Sequence, residues 1–128
     1  MTEFEELRFE IISGDVRLIP LADYHIEPLR AACAEDPQVW EIYPHSMLGD
    51  HFNTAIETRR ATPGVIFAAC LGEDVVGITS FLRPDPANGV VEIGGTYIAP
   101  RMRGTDYNRT MKKLLIEHAF AQGYRRIV

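Results

Sequence analysis

A short basic segment with one glycine separates a strand pattern from a helix pattern in the second half of the chain. Residues 101–105 read Arg-Met-Arg-Gly-Thr, and a helical pattern begins near Asp106. Backbone N–H groups in the first turn of a helix have no partner within the helix, and the helix dipole adds partial positive charge there. Gly104 would let the backbone approach a ligand, and Arg103 could neutralise negative charge nearby. The segment therefore predicts a site for a phosphate or pyrophosphate.

A purely structural interpretation fits the same residues. The segment could be a capped helix that follows a strand, with Asp106 as the N-cap and the arginines in solvent. The two interpretations predict opposite roles for Asp106, because its carboxylate would stabilise a bare helix start but would repel a bound phosphate. The residues alone leave both interpretations open.

The strand before the basic segment carries one carboxylate, Glu92, and two adjacent glycines at 94–95. Adjacent glycines weaken a strand, and the common reasons for them are a bulge or the close approach of a ligand or another backbone. Strict alternation predicts that Val91 and Tyr97 share one face of this strand and that Glu92 and Ile98 share the other.

The elements that must position these residues follow from periodicity and turn signals. A helix at about 24–34 and a second at about 50–61 are separated by an irregular loop. Two apolar runs are joined by a tight turn at 72–74, which predicts a hairpin. The predicted fold is α/β (α+β), one domain over 1–128 with a mixed, mostly antiparallel sheet flanked by helices. The predicted strands are 16–19, 65–71, 75–82, 90–99 and the beginning of one at 125–128, and the last helix is 106–122.

Composition excludes several classes of function. The net charge of −5 disfavours general nucleic-acid binding, and the apolar runs are too short to span a membrane. The acidic N-terminus lacks the pattern of a secretory signal, which predicts a cytoplasmic protein. Cys33 and Cys70 have no metal-ligand spacing, so we expect reduced, structural cysteines and no metal cofactor.

The basic segment and its flanks resemble the GNAT acyltransferases, and within them the RimJ/RimL-type ribosomal-protein N-acetyltransferases and their many small-molecule relatives. Their signature is Gln or Arg, two residues, Gly, one residue, then Gly or Ala, and 101–105 supplies all but the final position. Asp106 stands where the family usually has glycine. The resemblance extends over about 16–128, and its matching segments in order are Glu92-Ile93-Gly94, Tyr97-Ile98-Ala99-Pro100, Arg103-Gly104-Thr105, Asn108, Lys112, Leu114-Leu115 and His118-Ala119-Phe120.

This resemblance implies transfer of an acetyl group from acetyl-CoA to a primary amine, either a protein N-terminus or a small-molecule amine, by direct attack without a covalent enzyme intermediate. Glu92 would be the general base, acting through water, although a solvated carboxylate or an ion pair with an arginine is its structural alternative. Trp40 and Tyr43 lie in the loop where related enzymes line the acceptor site, as do His45 and Met47, but they could equally pack the helices onto the sheet. The implied cofactor contacts are the strand edge at Tyr97 and Ile98, the backbone N–H groups of Arg103, Gly104, Thr105, Asp106 and Tyr107, and Asn108 at the helix start.

The chain ends within a predicted strand, which raises a question about completeness. In the resembling family, later segments supply one wall of the acceptor cleft and often the group that protonates the leaving thiolate. We therefore expect a domain cut short after Val128, completed by a missing C-terminal segment or by a homo-oligomer. The alternative function is a non-catalytic module that binds CoA weakly or mediates association.

Overall fold

One six-stranded sheet organises the described part of the protein, which is residues 4–43 and 46–128 of a computed structural model. The strands lie in chain order, and neighbours are antiparallel except for the last pair, which is parallel. This arrangement confirms the predicted mixed, mostly antiparallel sheet. The strands are β1 Ile11–Ser13, β2 Val16–Pro20, β3 Gly64–Leu71, β4 Asp74–Asp85, β5 Val90–Ile98 and β6 Arg126–Ile127.

Three α-helices flank the sheet: α1 Ile26–Cys33, α2 His51–Ala61 and α3 Tyr107–Ala121. All three were predicted from periodicity. The observed bounds differ from the predicted ones by no more than two residues at any end. No sequence pattern indicates β1, because its three residues are too few to establish alternation. Short 3-10 helices lie at Glu5–Leu7, Asp23–His25, Pro37–Glu41 and Pro100–Met102. Within the described ranges, no helix is long and apolar enough to cross a membrane.

The sheet has an apolar core on each face. The first core lies beneath α3, and the second lies beneath α1 and α2. Neighbouring strand residues point to opposite faces, so Phe67 belongs to the first core and Ala68 to the second. From the helices, Tyr107, Met111, Leu115 and Ala119 enter the first core, and Leu29, Cys33, Phe52, Ala55 and Ile56 enter the second.

A bulge in β5 overturns the predicted alternation of that strand. Tyr97 pairs with Ile78 and Gly94 pairs with Ser80, so two residues of β5, Gly95 and Thr96, oppose one residue of β4. Gly95 has a φ of 60°, a conformation that favours glycine. The extra residue reverses the faces beyond it. Val91 therefore lies in the first core while Tyr97 lies in the second, which makes the prediction that they share a face wrong.

The outer edge of β5 is only partly paired. β6 pairs with Val90 and Val91, and the N–H of Ile93 donates to the carbonyl of Val128. Beyond that point no described strand pairs with the outer edge of β5. The N–H of Ala99 donates to Val76 on the β4 side, and backbone groups alternate along a strand, so those of Ile98 point to the open edge.

Candidate functional site

Two clefts border the β5 bulge. The first cleft has a volume of about 430 Å³ and the second about 480 Å³. Thr96 lines the first and its neighbour Gly95 lines the second, so the bulge lies between them. The first cleft is lined by Val39, Tyr43, Thr96, Ile98, Met102, Arg103, Gly104, Asn108 and Lys112. The second is lined by Ser46, Met47, His51, Thr54, Ala55, Thr58, Arg59, Thr62, Leu82, Arg83 and Gly95.

The basic segment forms one end of the first cleft, but its backbone N–H groups are not equally available. The N–H of Arg103 donates to Pro100, that of Thr105 to Met102, and that of Tyr107 to the hydroxyl oxygen of Thr105. In the described part of the chain, the N–H groups of Gly104 and Asp106 donate to no acceptor. Of the five predicted phosphate-binding N–H groups, these two are therefore free to bind a ligand.

Asp106 occupies the N-cap position of α3, yet its carboxylate makes no capping hydrogen bond. The hydroxyl of Thr105 takes that role, since it accepts from the N–H of Tyr107 at 3.2 Å and donates to the carbonyl of Met102 at 2.6 Å. The interpretation of Asp106 as a side-chain cap is therefore wrong. Its carboxylate is exposed beside the free N–H groups.

The two arginines of the segment pair with two acidic residues that follow α1. Arg103 Nη1 lies 2.5 Å from Asp36 Oδ2, and Arg101 Nε lies 3.3 Å from Glu35 Oε1. The hydrogen bond from Arg103 lowers the pKa of Asp36 below its ordinary value, so both partners are charged at neutral pH. An anion that enters the first cleft therefore meets an Arg103 whose charge is already neutralised by Asp36.

The remaining predicted cofactor residues divide between the first cleft and the interior. Ile98 and Asn108 line the first cleft. The side chain of Tyr97 is buried, and its hydroxyl donates to the carbonyl of Ala32 at 2.7 Å. Tyr107 is also buried, with its hydroxyl donating to Cys70. Burial raises the pKa of both phenols, Tyr97 and Tyr107, far above neutrality. Both tyrosines can thus offer only backbone groups to a ligand.

The two predicted acceptor-site aromatics have different positions. Trp40 is 5% exposed, packs 4.7 Å from the Tyr97 ring between centroids, and donates its indole N–H to Cys33. Tyr43 lines the first cleft, and its hydroxyl donates to the carbonyl of Thr96 at 3.1 Å. Trp40 thus packs against the rings of Tyr97 and Tyr43. Tyr43 in addition contacts the bulge itself. His45 lies outside the described residues.

Glu92, the predicted general base, lies next to the second cleft. Its Oε1 is 3.2 Å from Nη1 of Arg83, and the side chain is 40% exposed. Arg83 lines the second cleft, and Leu82, which pairs with Glu92 across the sheet, lines it as well. The ion pair that the sequence left as the structural alternative is therefore present. Water can still reach the carboxylate.

Sequence reasoning missed the most enclosed cation of the second cleft, Arg59. This half-buried residue of α2 donates from Nη1 to the carbonyl of Gly95 at 2.7 Å. A signal was available, since Arg59 follows Phe52 and Ile56 along the buried stripe of α2, where a charged residue requires a partner. His51, to which the sequence assigned no chemistry, also lines the second cleft.

Neither cysteine is placed to act as a nucleophile. Both are buried and free of disulfides. Burial raises the pKa of the Cys33 thiol to about 12 and also raises that of Cys70, and a thiol must ionise before it attacks. Within the described ranges, no group of three or more His, Cys, Asp or Glu residues is arranged to hold a metal ion.

We expect both thiols to resist a disulfide reagent in the folded protein at pH 8 and to react fully after unfolding in denaturant, because burial keeps them protonated and shielded. The absorbance that develops with such a reagent, followed with and without guanidinium, measures thiol reactivity in the unfolded and the folded protein. Labelling of the folded protein at the rate of a free thiol would contradict the burial of these side chains.

Comparison with known families and curated proteins gives one match. Residues 15–128 match the acetyltransferase (GNAT) domain. No curated protein matches the chain.

Solved structures share the fold. A GCN5-related N-acetyltransferase from Brucella melitensis is 25% identical with a TM-score of 0.79, over 94% of this chain and 58% of that one. A candidate acetyltransferase from T. thermophilus is 26% identical with a TM-score of 0.79, over 99% of this chain and 67% of that one. A ribosomal L7/L12 α-N-protein acetyltransferase (RimL) in complex with coenzyme A is 15% identical, with a TM-score of 0.72 over 90% and 70% of the two chains, and shows the fold alone. The chain thus spans about three-fifths to two-thirds of the length of the first two.

Proposed function

Because this chain belongs to the GNAT acetyltransferase family, we propose that it binds acetyl-CoA in the first cleft and transfers the acetyl group to a primary amine in the second. The observation that carries this proposal is that both clefts border the bulge, where Thr96 lines one and Gly95 the other. Two substrates in these clefts would meet at the backbone of β5. The subtype that we assign to the chain is the RimJ/RimL type together with its small-molecule relatives, so the amine belongs either to a protein N-terminus or to a small molecule.

Binding of the cofactor would use backbone groups at both ends of the first cleft. The free N–H groups of Gly104 and Asp106 at the start of α3 would hold the pyrophosphate, with Arg103 and Asn108 beside it. The open edge of β5 at Ile98 would pair with the amides of pantetheine, as a further strand would. These contacts would place the thioester near the bulge. Positioning of the two reactants is the main contribution we assign to the protein.

The chemical step would be direct attack of the amine on the thioester carbonyl. The amine arrives as an ammonium ion and must lose a proton. We propose that Glu92 accepts this proton through a water molecule and so acts as the general base. The carbon–nitrogen bond forms as the tetrahedral intermediate appears, and a backbone N–H of the bulge stabilises its oxyanion. Collapse then breaks the carbon–sulfur bond. The second proton that the nitrogen loses balances the departing thiolate, so the products are a neutral amide and CoA as the thiol. No thiol of the protein is needed, in keeping with the two buried cysteines.

We expect acetyl-CoA to raise the melting temperature of the protein, because a ligand that binds only the folded state stabilises it by RT ln(1 + [L]/Kd). At a hundredfold excess over Kd this is about 2.7 kcal/mol, a rise on the order of 10 °C for a domain of this size. Thermal melts with and without millimolar acetyl-CoA measure the shift. S-acetylpantetheine, which lacks the nucleotide diphosphate, serves as the control and should give a smaller shift.

Steady-state transfer to a panel of small amines and peptide N-termini then tests the reaction itself. Absence of a melting shift together with absence of heat in calorimetry would refute cofactor binding. A clear shift without transfer to any amine would refute the catalytic part and favour the binding module. Light scattering on the same samples tests self-association, which stays a prediction from the sequence, as does a cytoplasmic location.

A further inference from the structure

The second cleft carries positive charge without a carboxylate among its lining residues. Two arginines and a histidine line it, together with several hydroxyl-bearing side chains. One of the arginines, Arg83, is already neutralised by Glu92. The other, Arg59, makes no ion pair with any carboxylate in the described part of the chain. The unneutralised charge of the second cleft therefore lies at Arg59.

Arg59 is held in place at the bulge. Its Nη1 donates to the carbonyl of Gly95 at 2.7 Å, and a methyl group at position 95 would lie 2.6 Å from the same nitrogen. Glycine at 95 therefore permits this approach. A guanidinium has five N–H donors, and this bond uses one of them. The others remain available to an acceptor in the second cleft.

Partial burial makes this charge costly without a ligand. Loss of water around the guanidinium lowers the pKa of Arg59 below its ordinary value, although the group stays protonated at neutral pH. A bound carboxylate would accept from the guanidinium and restore the lost solvation. The two planar groups match in geometry, since an arginine can donate two parallel N–H bonds to one carboxylate.

We propose that the amine acceptor carries a carboxylate which binds Arg59, and that free amino acids are the acceptor class. This inference rests on the proposed acetyl transfer for the position of the amine. Arg59 contacts Gly95, and the next residue, Thr96, already lines the first cleft. A carboxylate on Arg59 thus lies close to the junction of the two clefts. The amine that reaches the thioester must be only a few bonds away from it.

Wild-type protein tests the preference directly. The kcat/KM for acetylation of a set of amino acids is compared with that for the corresponding amino-acid amides, which keep the amine and lose the carboxylate charge. We expect the acids to be preferred by roughly ten- to a hundredfold, the range for a charge-assisted hydrogen bond. Equal use of acids and amides would overturn the proposal, and so would a strong preference for peptides with an acidic side chain over free amino acids.

A matched pair of variants assigns the preference to one residue. Arg59→Gln should reduce the acid-to-amide ratio to near one, and Arg59→Lys should restore part of it, because lysine keeps the charge and loses the planar fork. Arg60→Gln removes the same charge from the next residue of α2, which is exposed, pairs with Asp23 and lies outside both clefts. It should leave the ratio unchanged. An unchanged ratio in Arg59→Gln would overturn the assignment.

A direct binding measurement tests the proposed carboxylate site independently of the proposed acetyl transfer. Wild-type protein is titrated with an amino acid and with its amide, followed by NMR or by melting temperature, in the presence and absence of acetyl-CoA. Selective binding of the acid that is lost in Arg59→Gln supports the anion site even where no acetyl group is transferred. Equal binding of acid and amide overturns the anion site even where acetyl transfer is observed.

Discussion

Replacement of Asp106 by glycine should tighten acetyl-CoA binding by about tenfold to a hundredfold. Asp106 is exposed beside the free N–H groups that we assign to the pyrophosphate. Two unit charges at about 6 Å and an effective dielectric near 20 repel by about 2 to 3 kcal/mol, before salt and solvent screen them. Each 1.4 kcal/mol corresponds to a tenfold change in Kd. Titration calorimetry at low and moderate salt measures the change.

The effect of this replacement on stability should be small. Because the Asp106 carboxylate makes no capping bond, its loss should cost no more than a few tenths of a kcal/mol. Asp50 offers a matched control, since it is the N-cap residue of α2, also makes no side-chain capping bond and lines neither cleft. Asp50→Gly should leave acetyl-CoA binding unchanged. Asp106→Asn isolates the charge from the change in backbone freedom and should give most of the gain.

Unchanged or weaker binding in both Asp106 variants would show that no phosphate lies near this carboxylate. The salt dependence provides an independent check, because the repulsion is electrostatic. The ratio of the acetyl-CoA Kd of wild type to that of Asp106→Gly should therefore fall towards one as salt increases. An advantage that is independent of salt would point to a backbone effect instead.

Replacement of Gly77 by alanine should lower the free energy of unfolding by about 3 kcal/mol or more. This value is the upper end of the range for groups inserted into a well-packed core. Gly77 lies in β4 opposite Ile98, and an added Cβ would lie 2.1 Å from the backbone carbonyl oxygen of Tyr97. A backbone atom cannot rotate away as a side chain can, so β5 must shift. The shift would occur at Tyr97 and Ile98, beside the first cleft. Acetyl-CoA binding should weaken together with stability.

Gly94→Ala is the matched control for this change. Gly94 lies in the paired strand β5, and its added Cβ would meet the flexible Cδ1 of Leu82 at 3.1 Å. That side chain can move, and alanine also restricts the unfolded chain, so the net effect should be close to zero. Denaturant unfolding of both variants measures the two free energies. Equal stabilities for Gly77→Ala and Gly94→Ala would contradict the backbone contact described for Gly77.

The three α-helices and five of the six strands follow from sequence pattern alone. Periodicity places Leu29 and Cys33 on the buried stripe of α1, and Met111 and Leu115 on that of α3, and all four are buried. The signal is strong because a helix next to a sheet must bury one continuous face. The basic segment before α3 was likewise recognisable, since loop and helix start are local in sequence.

The sequence could not determine how distant segments meet at the site. The ion pair of Arg103 with Asp36 joins residues 67 positions apart, and the contact of Arg59 with Gly95 joins residues 36 apart. Neither has a local signature, because each depends on how the helices pack on the sheet. The role of Asp106 depended in turn on Thr105, whose hydroxyl competes for the same helix end.

The bulge in β5 marks the boundary between what the sequence and the tertiary structure each determine. The two glycines at 94–95 predicted an irregularity, but pairing with β4 decides which residues it includes. A shift of one residue turns every later side chain to the other face. That shift buries the ring of Tyr97 in the second core and places Thr96 and Gly95 at the junction of the two clefts. The sequence by itself determined the three α-helices and all the strands except β1, together with the position of the basic segment, and packing across the sheet decided which residues meet there.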